Sequence, residues 1–175
     1  MTKRFRADLS LAFCSLLWGA TFVVVKNSLA YSSVFVFLSA RFTLAAFLMA
    51  AFRPRVFRTL KREELLAGAA IGFFMFAGYA FQTVGLRYTT PAKSGFVTGS
   101  SVVLVPLLLG IFWGRRLTLW VYAGVSAAVF GLYFLTVPAE GLAHLNRGDL
   151  LTLVAAGFCV MHIILVGELH SAALR

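Results

Sequence analysis

The stretch LLAGAAIGFFMFAGYAFQTVGL, Leu65 to Leu86, carries no charged side chain. As a helix rising 1.5 Å per residue it covers about 33 Å, enough for the roughly 30 Å hydrocarbon core of a bilayer. Five further stretches read the same way: Leu9 to Val25, Val34 to Phe52, Gly95 to Trp113, Leu117 to Val137 and Leu150 to Gly167. With 61% hydrophobic and 13% charged residues in 175, and a mean hydropathy of +0.90, the chain lacks the polar surface that a soluble globule would need to cover six apolar helices. The expected fold is therefore all-α, a polytopic transmembrane bundle of about six spans. The first span is not read as a cleavable signal, because no small-residue cleavage site follows it and further spans do.

The net charge of +10 invites a nucleic-acid reading, but the basic residues are arranged otherwise. Lys3, Arg4 and Arg6 precede the first span, Arg53, Arg55, Arg58, Lys61 and Arg62 fill the second connection, and Arg115 and Arg116 fill the fourth. The alternate connections hold only Lys26, Arg87, Lys93 and Arg147. This is a positive-inside pattern, which puts the amino terminus in the cytoplasm, gives the cations lipid headgroups as partners and leaves no nucleic-acid role. Trp113 and Trp120, at the cytoplasmic ends of spans four and five, suit interfacial anchors. Cys14 and Cys159 both lie within spans and read as small apolar packing residues, not as a disulfide or metal pair. No metal site and no cofactor is expected.

The longest connection, Pro138 to Asp149, divides the chain into residues 1–137, a loop at 138–148 and a segment at 149–175. Laying span six over span one places Asp149-Leu150 on Asp8-Leu9 and Cys159 on Trp18. Five helices separate the equivalent elements, so two such copies would enter the membrane from opposite sides, an inverted-repeat organisation found in secondary transporters. The second copy stops after one helix.

Several side chains within the spans can carry chemistry. Trp18 lies about 14 Å deep, near the midplane. With Ser15 one turn before, and Phe22 and Lys26 at i+4 and i+8, it forms either an aromatic packing stripe or the wall of a central cavity. Lys26 near the outer end suits snorkelling. Arg41 sits about 10 Å inside span two, where it must face protein or water; it serves either as an anion contact or as a cap for helix carbonyls. Tyr79 and Gln82, at i and i+3, present polar atoms to one side of span three. Gly68 with Gly72 and Gly95 with Gly99 form small-xxx-small pairs suited to close helix packing. In span four, Ser94, Thr98 and Ser101 share a face, and Pro106 leaves the Val102 carbonyl without its helical partner, which suggests a kinked helix beside a hydrated path. His162 is either a hydrogen-bonded core residue or a proton relay. No carboxylate lies mid-span, so a carboxylate proton relay is not expected.

The residues Trp18-Gly19-Ala20-Thr21-Phe22-Val23 with Lys26, Ser39-Ala40-Arg41-Phe42, Gly85 to Phe96, and Val105-Pro106-Leu107 resemble the drug/metabolite transporter superfamily, EamA-type permeases. The resemblance runs from about Leu9 to Gly167. It implies a secondary transporter of small metabolites or drugs in the bacterial inner membrane, built of ten helices in two inverted five-helix repeats. The present chain would supply the first repeat and one further helix. Three departures stand out: the last four helices are missing, the stretch Trp113-Gly114-Arg115-Arg116-Leu117-Thr118 has arginine where such proteins often place glutamate before the Leu-Thr pair, and Cys159 stands where an aromatic is common.

On this reading Trp18, Phe22, Arg41, Tyr79, Gln82, Thr98 and Ser101 bind a small-molecule solute, with Pro106 shaping the path. Trp18, Arg41 and Thr98 would face lipid unless a second copy of the chain, or the missing carboxy-terminal half, covers them. A non-transporting membrane subunit and an intramembrane enzyme are the rival readings. The enzyme is disfavoured because the chain has no H-E-x-x-H, no G-x-S-x-G and no paired intramembrane carboxylates.

Overall fold

The computed structural model describes residues 3–54, 60–114, 117–136 and 146–173, and every regular element among them is an α-helix. They are α1 (Lys3–Ser28), α2 (Val34–Phe52), α3 (Arg62–Leu86), α4 (Pro91–Gly99), α5 (Ser101–Trp113), α6 (Leu119–Thr136) and α7 (Arg147–Ala173). Five helical stretches are long and apolar enough to cross a membrane, α4 and α5 together making one of them, and α6 contributes a shorter apolar stretch over Leu119–Gly131. The chain is an all-α polytopic bundle. The expected spans map onto these helices, with the sixth lengthened at its start to Arg147. Arg55, Arg58, Arg115, Arg116 and residues 138–145 of the expected loop lie outside the described residues, as does the side chain of Trp113.

Local chemistry sets the helix ends. The Ser33 hydroxyl accepts from Val36 N–H at 3.3 Å and opens α2. At α3 the Glu64 carboxylate accepts the Lys61 N–H at 2.9 Å, and Glu63 and Glu64 both sit where the helix dipole favours anions. Thr90 caps α4 through Lys93 N–H at 3.2 Å, with Pro91 at the first helical position. Gly114, at φ 60°, closes α5 in the left-handed conformation that glycine tolerates.

Two buried clusters hold the bundle. In the first, Phe22, Val25 and Leu29 of α1 and the residues that follow it meet Val34 and Leu38 of α2 and Leu86 of α3. The second runs along α7, where Thr152, Ala155, Ala156, Val160 and Ile164 repeat on one face and are buried against α3, α4 and α5. Most other large apolar side chains point outward, Phe47, Leu66, Phe73 and Ile111 among them, as helices bathed in hydrocarbon require. Trp120 is also exposed, in the first turn of α6.

The glycines that permit close approach differ from those expected. A Cβ on Gly68, Gly72 or Gly99 would meet nothing within 4 Å, and one on Gly95 would touch only the Phe22 ring, 3.7 Å away. The tight crossing is between α3 and α7. There a Cβ on Gly85 would lie 2.8 Å from the Gly148 carbonyl oxygen, and one on Gly148 would lie 2.5 Å from that of Gly85. Spacing of small residues along one helix does not specify the partner helix, whereas the α3–α7 register does.

Candidate functional site

Where α1, α3, α5 and α7 converge, they line a partly open cavity of about 170 Å³ bordered by Trp18, Met75, Tyr79, Gln82, Ser101, Cys159, His162 and Ile163. Four of the seven expected solute-binding residues, Trp18, Tyr79, Gln82 and Ser101, therefore share one space. Trp18 and Phe22 also line a larger groove of about 570 Å³ with Ser15, Gly95 and Phe96. The two rings pack at 6.4 Å, so the aromatic stripe of α1 both packs and forms a wall.

Thr98 reaches the cavity only through a neighbour. Gln82 Nε2 donates to Thr98 Oγ1 at 2.8 Å, and that hydroxyl donates to the Ser94 carbonyl at 2.8 Å. The amide is thereby held in one orientation, with its carbonyl oxygen left to accept. Thr98 is fully buried by its own chain, contrary to the expectation that it would face lipid. The stripe Ser94, Thr98, Ser101 turns into the protein, and of the three only Ser101 lines the cavity. Ser94 Oγ is buried without a hydrogen-bond partner among the described residues.

The discontinuity in span four falls at Ser100, before Pro106, which stays within α5. Ser100 N–H is shared between the Phe96 and Val97 carbonyls at 3.1 and 3.2 Å, and its hydroxyl donates to Val97 O at 2.6 Å. Gly99-Ser100-Ser101 supplies a flexible residue followed by hydroxyls that compete for backbone carbonyls, a known cause of helix breaks.

Arg41 finds a partner that neither expected role named. Its guanidinium lies over the Tyr79 ring, 4.4 Å from the centroid, while Phe42 meets the same ring edge-on at 5.8 Å. It also borders a cleft of about 10 Å³ with Thr21, Gln82 and Thr83, room for about one water. Half-buried against an aromatic face, the charge is positioned by Tyr79 and in turn fixes that ring.

His162, left open between core and relay, faces the Ile71 carbonyl with Nδ1 at 3.2 Å. A carbonyl only accepts, so Nδ1 carries a proton, and in the tautomer this selects Nε2 is the acceptor. Cys159 occupies the cavity wall because α3 offers only Gly78 opposite it, and a Cβ there would lie 3.1 Å from its Sγ. Phe158, the residue before it, stacks on Phe81 at 5.4 Å and is not among the residues lining this cavity. Sequence reasoning did not place Met75, Cys159 or Ile163 in the site. The spacing of Cys159 and His162, one helical turn apart, was the available signal.

At one end of the bundle lies a polar clasp that the sequence did not reveal. Lys26 Nζ donates to the carbonyls of Leu86, Arg87 and Thr89 at 2.5, 3.0 and 3.0 Å, covering the end of α3 where the helix leaves acceptors unpaired. Thr89 Oγ1 donates to Asp149, whose second oxygen lies 3.9 Å from Lys93 Nζ.

A model of the EamA-like transporter family matches residues 5–137. The chain belongs to this family. This EamA-like chain is 38% identical over 166 residues to an uncharacterized transporter of Archaeoglobus fulgidus, a match covering 95% of the chain and 50% of the relative. It is 29% identical to the uncharacterized transporter YvbV of Bacillus subtilis, over 94% of the chain and 48% of that protein. It is 30% identical to a probable amino-acid metabolite efflux pump of Escherichia coli, over 79% of the chain and 46% of the pump. The EamA-like chain thus spans about half the length of the curated relatives it matches. No solved structure matches it significantly.

Proposed function

We propose that the chain supplies one half of a permease for small amino-acid-derived metabolites, and that the cavity of Trp18, Tyr79, Gln82 and Ser101 is its half of the solute site. The observation that carries this is the convergence, in mid-helix, of two aromatic walls with an oriented amide and a hydroxyl. Such a space binds a small organic molecule by its apolar body and fixes it with a few hydrogen bonds. The name of the Escherichia coli relative supports testing amino-acid metabolites first.

The first five-helix repeat occupies residues 1–137, and the family match ending at 137 supports that boundary. The second begins at 149, and a site between repeats is exposed alternately to each side as one rocks against the other, with Pro106 shaping the path. The amino terminus is cytoplasmic and the membrane is the cytoplasmic one, a reading supported by the alternation of basic connections. The chain works by moving solute unchanged, without enzymatic chemistry.

Reconstitution in liposomes with a complementary second repeat tests this. Saturable uptake of an unaltered metabolite is expected. Trp18→Ala and Gln82→Leu should each lower it at least about tenfold, which is the effect of about 1.4 kcal/mol in binding. Phe35→Leu, on the exposed side of α2, should not. Unchanged uptake in both cavity variants would put the solute path elsewhere.

A further inference from the structure

α3 and α7 run antiparallel, and two contacts fix their register: His162 Nδ1 on the Ile71 carbonyl at 3.2 Å, and Cys159 Sγ against Gly78. Met75 stands on α3 between those two levels, about one turn from each and on the same helix face. Met75, Cys159 and His162 all belong to the lining of the 170 Å³ cavity. A thiol, a thioether and an imidazole make a soft-to-borderline donor set, and no carboxylate lines this cavity.

The imidazole is also oriented as a ligand. Its Nδ1–H is committed to a backbone carbonyl, the arrangement that fixes metal-binding histidines and leaves Nε2 as the donor atom. Among the described residues no group of three His, Cys, Asp or Glu side chains is placed to hold a metal, so no zinc-type site is built. The third donor here is a thioether, which selects soft ions such as Cu(I).

We propose that Met75, Cys159 and His162 form a binding site for a soft monovalent cation of the Cu(I) or Ag(I) class. Binding forms a metal–sulfur bond at Cys159 and releases the thiol proton to solvent. The thiolate then balances the single positive charge, so the loaded site is neutral, as a site between membrane helices must nearly be. The inference does not depend on the transport reading, since the same three side chains would bind the ion in a subunit that moves nothing.

The test is titration of silver nitrate, in chloride-free buffer, into the detergent-purified full chain carrying Cys14→Ser. That substitution removes the exposed thiol. About one tightly bound silver ion per chain is expected. Cys159→Ser should abolish it, Met75→Leu and His162→Gln should each weaken it about tenfold or more, and Met75→Cys should retain it. Circular dichroism and gel filtration of each variant separate ligand loss from misfolding. Unchanged affinity in folded Met75→Leu and His162→Gln proteins would reduce the site to a bare thiol and overturn the proposal. So would equally tight binding of Zn²⁺.

Discussion

The Thr89 hydroxyl, in the turn after α3, donates to the Asp149 carboxylate in the first turn of α7, and both residues are 5% exposed. Asp149 also works locally. Asn146 Oδ1 accepts Asp149 N–H at 2.9 Å, and Asp149 Oδ2 accepts Asn146 N–H at 3.4 Å, a reciprocal cap on α7. One carboxylate thus starts a helix and fastens it to another. Asp149→Ala should cost about 2–4 kcal/mol, since it removes a cap and strands a buried hydroxyl. Thr89→Val should cost less, about 1–2 kcal/mol. Urea unfolding in detergent micelles, followed by tryptophan fluorescence, measures both.

Lys26 makes a similar prediction at the neighbouring helix end. Lys26→Met keeps the aliphatic stem but leaves the carbonyls of Leu86, Arg87 and Thr89 without their donor. A loss of about 2–3 kcal/mol is expected in the same assay, as for hydrogen bonds from a charged group. A fall below about 0.5 kcal/mol would mean that water replaces the ammonium without penalty.

The helix crossing can be tested by adding single methyl groups. Gly148→Ala would bring its Cβ within 2.8 Å of Thr89 N as well as against the Gly85 carbonyl, so backbone has to move. A destabilisation of about 2–3 kcal/mol or loss of folded protein is expected. Gly72→Ala meets open space and should be neutral or slightly stabilising through helix propensity. Equal behaviour of the two variants would contradict the α3–α7 register.

Orientation is checked by thiol labelling in a background without Cys14 and Cys159. Tyr31, between α1 and α2, is 94% exposed, and Leu60 precedes α3. With a cytoplasmic amino terminus, Tyr31→Cys should react with an impermeant maleimide added to intact cells, and Leu60→Cys should react only after lysis. The reverse pattern would invert the topology.

The spans were legible because crossing a bilayer is a one-dimensional requirement: enough apolar residues in a row, as in Leu65 to Leu86. The aromatic stripe of Trp18 and Phe22 was legible for a similar reason, since helical spacing alone puts them on one face. What eluded the sequence was pairing across helices. Nothing near Lys26 in the chain says that carbonyls some 60 residues on will meet it, and Gly68-xxx-Gly72 fits a packing motif as well as Gly85 and Gly148 fit none. Arg41 shows the same limit. Its depth requires a partner, but whether that partner is an anion, a carbonyl or the face of Tyr79 is decided by how α2 leans on α3.

The central place of α7 bears on the order of events at the ribosome. Lys26 and Tyr79 can find their partners once α3 and the turn after it have been made, but Thr89 waits for Asp149 and Ile71 for His162, contacts 60 and 91 residues apart in the chain. At a synthesis rate of roughly 5–20 residues per second, α3 spends several seconds in the membrane with its glycine face uncovered. The nascent bundle is therefore an open trough during translation. Whatever shelters it in that interval, lipid, insertase or chaperone, must leave when α7 arrives.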